Sequence, residues 1–387
     1  MEDEKRYLLT VLSDFLHKRK PVDAVDLEWN TILELAQSHQ IEAILYHQCK
    51  SSLPSAVSAR LSQLYASSLF YYSNRVKLLN SITVAFTNNN IPFFTVKGLD
   101  VAALYPIPAL RTMGDCDILV HPSDKQKAHE VMLSLGFQLH QQEDMEWTYF
   151  KNGLEFEIHD RLLYDETVNS QISKDFTELA WDYTSGDGCR KQLDGNFHLV
   201  FLLLHLKKHL LNSGAGLRQF MDLVVVVQKC NLDWAWIKET LEKLELLDFA
   251  KVCFALCEKW FAVQMPLRAE FTSEFYESAT EKILANGVFG FEDESNKENH
   301  NMNQIRKAGK LKTIVGRIFP SYQNVYYVPH YAFVQGKPWL LPVVWVYRLF
   351  RSLIYGKGAD GVRLISSAVT VDDRMAEREK TLRQWGL

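Results

Sequence analysis

The stretches FFTVKG (93–98), RTMGDCDILV (111–120) and LEFEIH (154–159) decide how this chain folds. Residues 92–96 are a short apolar run of strand-forming residues that ends at Lys97 and Gly98. A short helix is predicted over 99–105, stopped by Pro106 and Pro108. A second strand is predicted over 115–120. Side chains alternate faces along a strand, so Asp115 and Asp117 point one way and Cys116 the other. Two carboxylates that close repel strongly in a dry core. A divalent cation between them removes the conflict. Oxygen ligands of this kind suit Mg²⁺, which keeps some waters and takes substrate phosphates as further ligands.

Further along, 148–150 and 154–158 read as a hairpin closed by Asn152 and Gly153, a pair that favours a type I′ turn because both residues need positive φ. In its second strand Leu154, Phe156 and Ile158 form an apolar face, and Glu155, Glu157 and His159 form the other. With this strand beside the Asp115 strand, Glu157 or Glu155 completes a three-carboxylate site able to hold two metals. One would lower the pKa of an attacking hydroxyl, and the other would stabilise a leaving pyrophosphate. Between the strands, Ser123 and Gln126 fit a capping box opening a helix to 135, with Gly136 as its C-terminal cap. Gly98, between strand and helix, lets the backbone approach a phosphate, and the helix N-terminus beyond it favours an anion. Lys97 and Arg111 flank that element as cations for a triphosphate tail.

The rest of the chain reads as mostly helical. Helical spacing covers 7–17, a segment capped by Asp26 or Asn30 that runs to Cys49, and 58–88. It returns over 197–211, 217–229, 234–246 and 249–263. This gives a helical N-terminal region (1–88), a mixed core (89–195), a helical domain (196–292), a polar linker (293–310) and a C-terminal extension (311–387). In the helical domain His205 and His209 share one face, placed to contact a triphosphate or base, to ligate a metal, or to pack. Arg218 and Asp222 stand at i,i+4, either as a helix ion pair or with Arg218 on phosphate. The aromatic, basic stretch 339–355 reads as a core helix that buries its aromatics, with an interfacial helix meeting a membrane surface or a protein as the alternative.

At 387 residues the chain calls for two or three domains, and 47% hydrophobic with 23% charged residues excludes wholesale disorder. A net charge of −4 argues against a protein that grips nucleic acid through its phosphates. The acidic start lacks a signal peptide's pattern, and no apolar run suggests a transmembrane segment. The six cysteines have no metal-ligand spacing, and Cys253 and Cys257 read as buried thiols. A soluble, cytoplasmic protein is expected.

Residues 93–98, 111–120 and 157–159, with His205 to His209, Gly216 to Arg218 and Asp222, resemble the uncharacterised bacterial nucleotidyltransferase family of the DNA polymerase β-like superfamily. The resemblance covers most of 90–265. It implies an α+β fold, with a small mixed sheet of the polymerase β-like type flanked by helical N-terminal and C-terminal regions. It implies Mg²⁺ and a nucleoside triphosphate at the sheet edge. The reaction would move a nucleoside monophosphate to an acceptor and release pyrophosphate. Asp115, Asp117 and Glu157 match the metal-binding, catalytic carboxylates, and Gly98 matches the phosphate-contacting glycine. Lys97, Arg111, His159, His205, His209 and Arg218 would complete the nucleotide site. Superfamily members often carry Gly-Ser where this chain has Gly98 and Leu99, and Lys97-Gly98 resembles a toxin-like branch instead. Two alternatives follow: an inactive nucleotide-binding regulator or scaffold, and a toxin-like enzyme that modifies RNA or protein.

Overall fold

The computed structural model describes residues 2–21, 26–142, 145–163, 170–212, 214–287, 319, 322, 325, 333–334, 336–354 and 379–387. The 293–310 segment read as a linker lies outside them. The chain divides into two compact units. The first comprises Met1–Leu210, Gly214–Phe291 and Trp385–Leu387; the second comprises Leu211–Ser213 and Glu292–Gln384.

The first unit is built on a seven-stranded mixed sheet of order β3-β4-β5-β2-β1-β7-β6. The strands are β1 (Phe93–Val96), β2 (Asp117–Val120), β3 (Gln138–Gln142), β4 (Glu146–Lys151), β5 (Leu154–His159), β6 (Thr184–Ser185) and β7 (Arg190–Leu193). β1 pairs antiparallel with β2, with Val96 opposite Asp117. β2 pairs parallel with β5, and this register sets Asp117 opposite Glu157 and Leu119 opposite His159. The hairpin of β4 and β5 turns through Asn152 at φ 54° and Gly153 at φ 73°, as the sequence predicts.

Alternation sorts the sheet into two cores. Phe93, Ile118, Val120, Phe156 and Ile158 face one way, against α4 (Ser55–Asn88) and α6 (Lys125–Ser134). Phe94, Val96 and Leu119 face the other way, into a larger helical core. That core takes in α1 (Asp3–Leu16), α2 (Trp29–Ser38), α3 (Glu42–Cys49), α5 (Gly98–Ala102), α7 (Ser170–Asp182), α8 (Gly195–Asn212), α9 (Leu217–Lys229), α10 (Trp234–Lys243), α11 (Leu247–Phe261) and α12 (Ser273–Asn286). Asp117 shares its face with Leu119, so the acidic strand positions look toward α8 and α9. Cys116, Cys253 and Cys257 are buried free thiols.

Several local expectations are corrected. The segment before Cys49 breaks into α2 and α3, because Gln40 turns at φ 54° and His39 is pinned between the Leu217 N–H and the Leu284 carbonyl. The residue preceding α2 is Glu28, with no side-chain cap. The Ser123 capping box does not form: residues Pro122–Asp124 make a 3-10 turn first. Gly136 does cap α6, at φ 78°, with backbone bonds from Gly136 and Phe137 back into the last turn. The strand predicted from 115 starts at Asp117.

In the second unit a helix, here α13, spans Leu341–Ile354. Its Val344 packs with Val325 and Val334, while Trp339, Val343, Val346 and Tyr347 are exposed. The aromatics at 339 and 347 are therefore not core residues, contrary to the sequence reading. No helix among the described residues is long and apolar enough to cross a membrane.

Candidate active site

The site begins with a strained turn. Lys97 leaves β1 at φ 55°, ψ −125° and Gly98 follows at φ 35°. Positive φ is costly for a lysine, and two bonds hold the turn. His198 Nε2 on α8 accepts the Lys97 N–H at 3.0 Å, and Arg111 Nη1 donates to the Gly98 carbonyl at 3.1 Å.

The strap that enters β2 is fixed by arginines. Arg218 Nη1 donates to the Thr112 carbonyl at 2.6 Å and to Gln40 Oε1 at 2.8 Å. Arg75, buried on α4, donates to the carbonyls of Met113 and Gly114 at 3.1 and 2.7 Å. Three successive carbonyls thus bind guanidinium groups instead of a neighbouring strand, which is why Asp115 precedes the ladder. Arg111 forks onto Asp222, with Nε and Nη2 at 2.8 and 2.7 Å, and Tyr105 adds a bond of 2.7 Å to the same carboxylate. Of the two readings of Arg218 and Asp222, the helix ion pair gives way to this buried Arg111–Asp222 pair. Arg111, expected on phosphate, is committed to Asp222.

Beyond the strap the acidic groups converge. His159 Nε2 lies 3.2 Å from Asp117 Oδ1 and 3.1 Å from Glu157 Oε2. Lys97 Nζ lies 3.0 Å from Asp117 Oδ2. Among the described residues, the group whose donor atoms all lie within 4.8 Å of one another is Asp117, Glu157 and His159. Asp115 lines the same cavity but stands outside that group. Of the sequence-derived set Asp115, Asp117 and Glu157, the latter two converge with His159, and Asp115, on the strap and not in the paired strand, lines the same cavity beside them.

The electrostatics follow the geometry. Burial alone would push the His159 imidazole down, but its bonds to Asp117 and Glu157 outweigh this and raise its pKa to about 9. Burial would push Asp117 up, but the Lys97 charge and the His159 bond hold it well below the usual carboxylate range. A proton on His159 and the Lys97 ammonium therefore supply the positive charge these carboxylates need. Two facing carboxylates with a nearby third are oxygen donors that fit a divalent cation, and a cation held there would displace the proton of His159 and free its imidazole as a ligand.

These groups line a cavity of about 300 Å³. Its opposite wall is α8 and α9, which contribute His205, Lys208, His209 and Arg218. The Nε2 atoms of His205 and His209 approach to 2.8 Å, so one ring donates to the other. Burial, then the Lys97 charge, keeps both neutral, His205 well below its usual value and His209 at about 3. One wall is thus acidic, and the other carries cations and imidazoles.

A family model for uncharacterised nucleotidyltransferases matches residues 26–262, more than half of the chain. The chain belongs to that nucleotidyltransferase family. The match spans the whole sheet, the strap and both helices of the cavity wall. No curated protein and no solved structure gives a match. Membership makes this a transferase by family, built on an α+β fold with a mixed sheet.

Sequence reasoning missed His198 and Arg75. Arg75 had a readable signal: it lies on the same stripe of α4 as Leu78, Leu79, Ile82 and Phe86, all buried, and an arginine on an apolar stripe needs partners. His198 had none, because nothing in an apolar helical run says which imidazole meets a distant backbone N–H.

Proposed function

We propose that the chain transfers a nucleoside monophosphate from a nucleoside triphosphate to a hydroxyl-bearing acceptor. The observation that carries this reading is the register pairing Asp117 with Glu157 across β2 and β5, with His159 between their carboxylates, in a cavity whose far wall is cationic. The acceptor oxygen would bond to the α-phosphorus as the bond from that phosphorus to the β-bridging oxygen breaks. Pyrophosphate leaves with the electron pair, and the hydroxyl proton passes to a carboxylate of the site. Asp117 and Glu157, with His159 and Asp115 beside them, would hold a divalent cation, which we take to be Mg²⁺, and it would neutralise charge developing on the phosphates. Lys208 and Arg218, with the His205–His209 pair, would orient the triphosphate tail. Gly98 would allow close approach of the backbone. The free thiols, four of them buried (Cys49, Cys116, Cys253 and Cys257), fit a reducing cytoplasm.

The test is calorimetry of ATP, GTP, CTP and UTP with and without Mg²⁺, on wild type and on Asp117→Asn. Metal-dependent binding of one triphosphate, lost in the variant, is the expected result. No binding of any triphosphate defeats the proposal. A regulator or scaffold that binds nucleotide without turnover is the second reading. It is favoured by Leu99 after Gly98 and by the commitment of Arg111 to Asp222. Binding without pyrophosphate release would select it.

A further inference from the structure

A second cavity, of about 340 Å³, lies on the α4 side of the strap. It shares Arg111, Met113 and Gly114 with the cavity described above, so the two meet along the strap. Its volume is within the range of small-molecule sites, about 300–1,000 Å³. Gln40, Glu42, Ser67, Tyr71, Tyr72 and Arg75 contribute to its lining.

Two buried atoms of residues that line it, Glu42 Oε2 and Arg75 Nε, have no hydrogen-bond partner. Arg75 is 3% exposed, so bulk water does not serve it. Buried polar atoms are nearly always paired, and an orphaned one calls for an explanation such as an ordered water, an ion or a functional role; beside a cavity of this size, a ligand is such an explanation. The chemistry of that ligand can be narrowed by elimination. An apolar ligand would leave both atoms unpaired. A polyanion finds no free cationic fork here: both terminal nitrogens of Arg75 are on backbone carbonyls, and Arg111 is forked onto Asp222. A ligand rich in hydroxyls satisfies a carboxyl and an N–H at once. The rings of Tyr71 and Tyr72 offer apolar faces to its C–H groups. The two cavities therefore differ as donor and acceptor sites should: one pairs metal-type carboxylates with a cationic wall for a triphosphate, and the other has no free cationic fork.

We propose that this second cavity is the acceptor site, and that the acceptor is a neutral polyhydroxylated molecule, a sugar or cyclitol. The inference rests on the nucleotidyl-transfer reading above. One of the acceptor's hydroxyl oxygens forms the new bond to the α-phosphorus, pyrophosphate departs with the electron pair of the broken bond, and the hydroxyl proton goes to a carboxylate of the neighbouring cavity.

The experiment is saturation-transfer NMR on the full chain, with D-glucose, D-galactose, D-ribose and myo-inositol as probes and glycerol 3-phosphate as a charged control. Triphosphate binding is followed in parallel by calorimetry. At least one neutral probe is expected to bind, with apparent affinity falling about fivefold or more in Glu42→Gln. Ser67→Trp fills the cavity from the exposed face of α4 and should abolish probe binding while leaving the melting profile and triphosphate binding unchanged. The inference is overturned if no neutral probe binds, if only glycerol 3-phosphate binds, or if probe binding survives Ser67→Trp. Triphosphate binding without neutral-probe binding defeats this inference alone. Neutral-probe binding without triphosphate binding defeats the nucleotidyl-transfer reading, and the acceptor role with it.

Discussion

His198 Nε2 accepts the N–H of Lys97 at 3.0 Å, and this bond ties α8 to a backbone conformation that lysine otherwise avoids. Lys97 has φ 55°, and a residue held there costs about 1–3 kcal/mol. The acceptor has to be a neutral imidazole. Burial ensures it by lowering the His198 pKa to about 4. The Lys97 side chain then falls on Asp117, so a residue of the helical layer sets the position of a charge in the acidic cluster.

Replacing His198 with Phe should keep the volume and remove the acceptor. The Lys97 N–H would then be buried without a partner, at a cost of about 1–3 kcal/mol. Urea denaturation would read this as a lower midpoint with an unchanged slope. Under the proposed function triphosphate affinity should fall as well. An unchanged midpoint would show that another group takes the N–H and that His198 does not position the turn.

Asp222 should be among the costliest residues to lose. Its carboxylate takes two bonds from Arg111 and one from Tyr105 with almost no exposure. Asp222→Ala leaves a buried guanidinium without its counter-charge, which typically costs about 3–5 kcal/mol. The double variant Arg111→Met/Asp222→Leu removes both charges and should recover most of that loss in chemical denaturation. No recovery would mean that the Arg111 bond to the Gly98 carbonyl carries the stability instead.

Much of the first unit was legible because its signals are local. Alternation in 154–159 separates buried Leu154, Phe156 and Ile158 from Glu155 and Glu157, and positive φ at Asn152 and Gly153 follows from residue type. The pairing of Asp117 with Glu157 was readable only as a condition on how the hairpin lies. β3 was not legible: QLHQQ is exposed at every position and sits at the sheet edge, with no buried face to impose alternation. β6 and β7 are short, and β7 is mostly polar. At the site, residue types pointed to the acidic cluster but not to which groups converge. Arg111 was read as a phosphate ligand, and Arg218 as that or a helix ion-pair partner, because a sequence shows a cation without its partner; Arg218 still lines the cavity while its Nη1 holds the strap. Their bonds to Asp222 and to the strap carbonyls are long-range choices made by the fold.

Acid should destabilise the fold through buried neutral histidines, and His39 gives the cleanest case. It is fully buried, its Nδ1 accepts the Leu217 N–H, and its Nε2–H reaches the Leu284 carbonyl. Burial lowers its pKa from 6.5 to about 4. Between these values the unfolded chain holds a proton that the folded one does not. Its contribution is therefore complete above about pH 6.5 and is lost as pH falls toward 4, by up to about 3 kcal/mol. His39→Gln should flatten the pH dependence of the urea midpoint over that window, relative to wild type. Parallel curves would rule out His39 as a contributor.

Activity and stability should separate the two aspartates of the acidic motif. Asp117 bonds to Lys97 and His159 from a buried position, whereas Asp115 lies on the strap outside that cluster. Under the proposed function, Asp115→Asn, Asp117→Asn and Glu157→Gln should each lower Mg²⁺-dependent pyrophosphate release by about 100-fold or more, the usual effect of removing a group that stabilises developing charge. Only Asp117→Asn should also lower stability substantially, because it removes the partner of a buried ammonium. The loss should be about 3 kcal/mol, at the low end for breaking a buried pair, since Glu157 still faces His159. Pyrophosphate release and urea denaturation measured on the same preparations give both readouts. If Asp117→Asn lost stability but kept turnover, the cluster would be a structural ion network, and the carboxylates that bind metal would have to be sought elsewhere in the cavity.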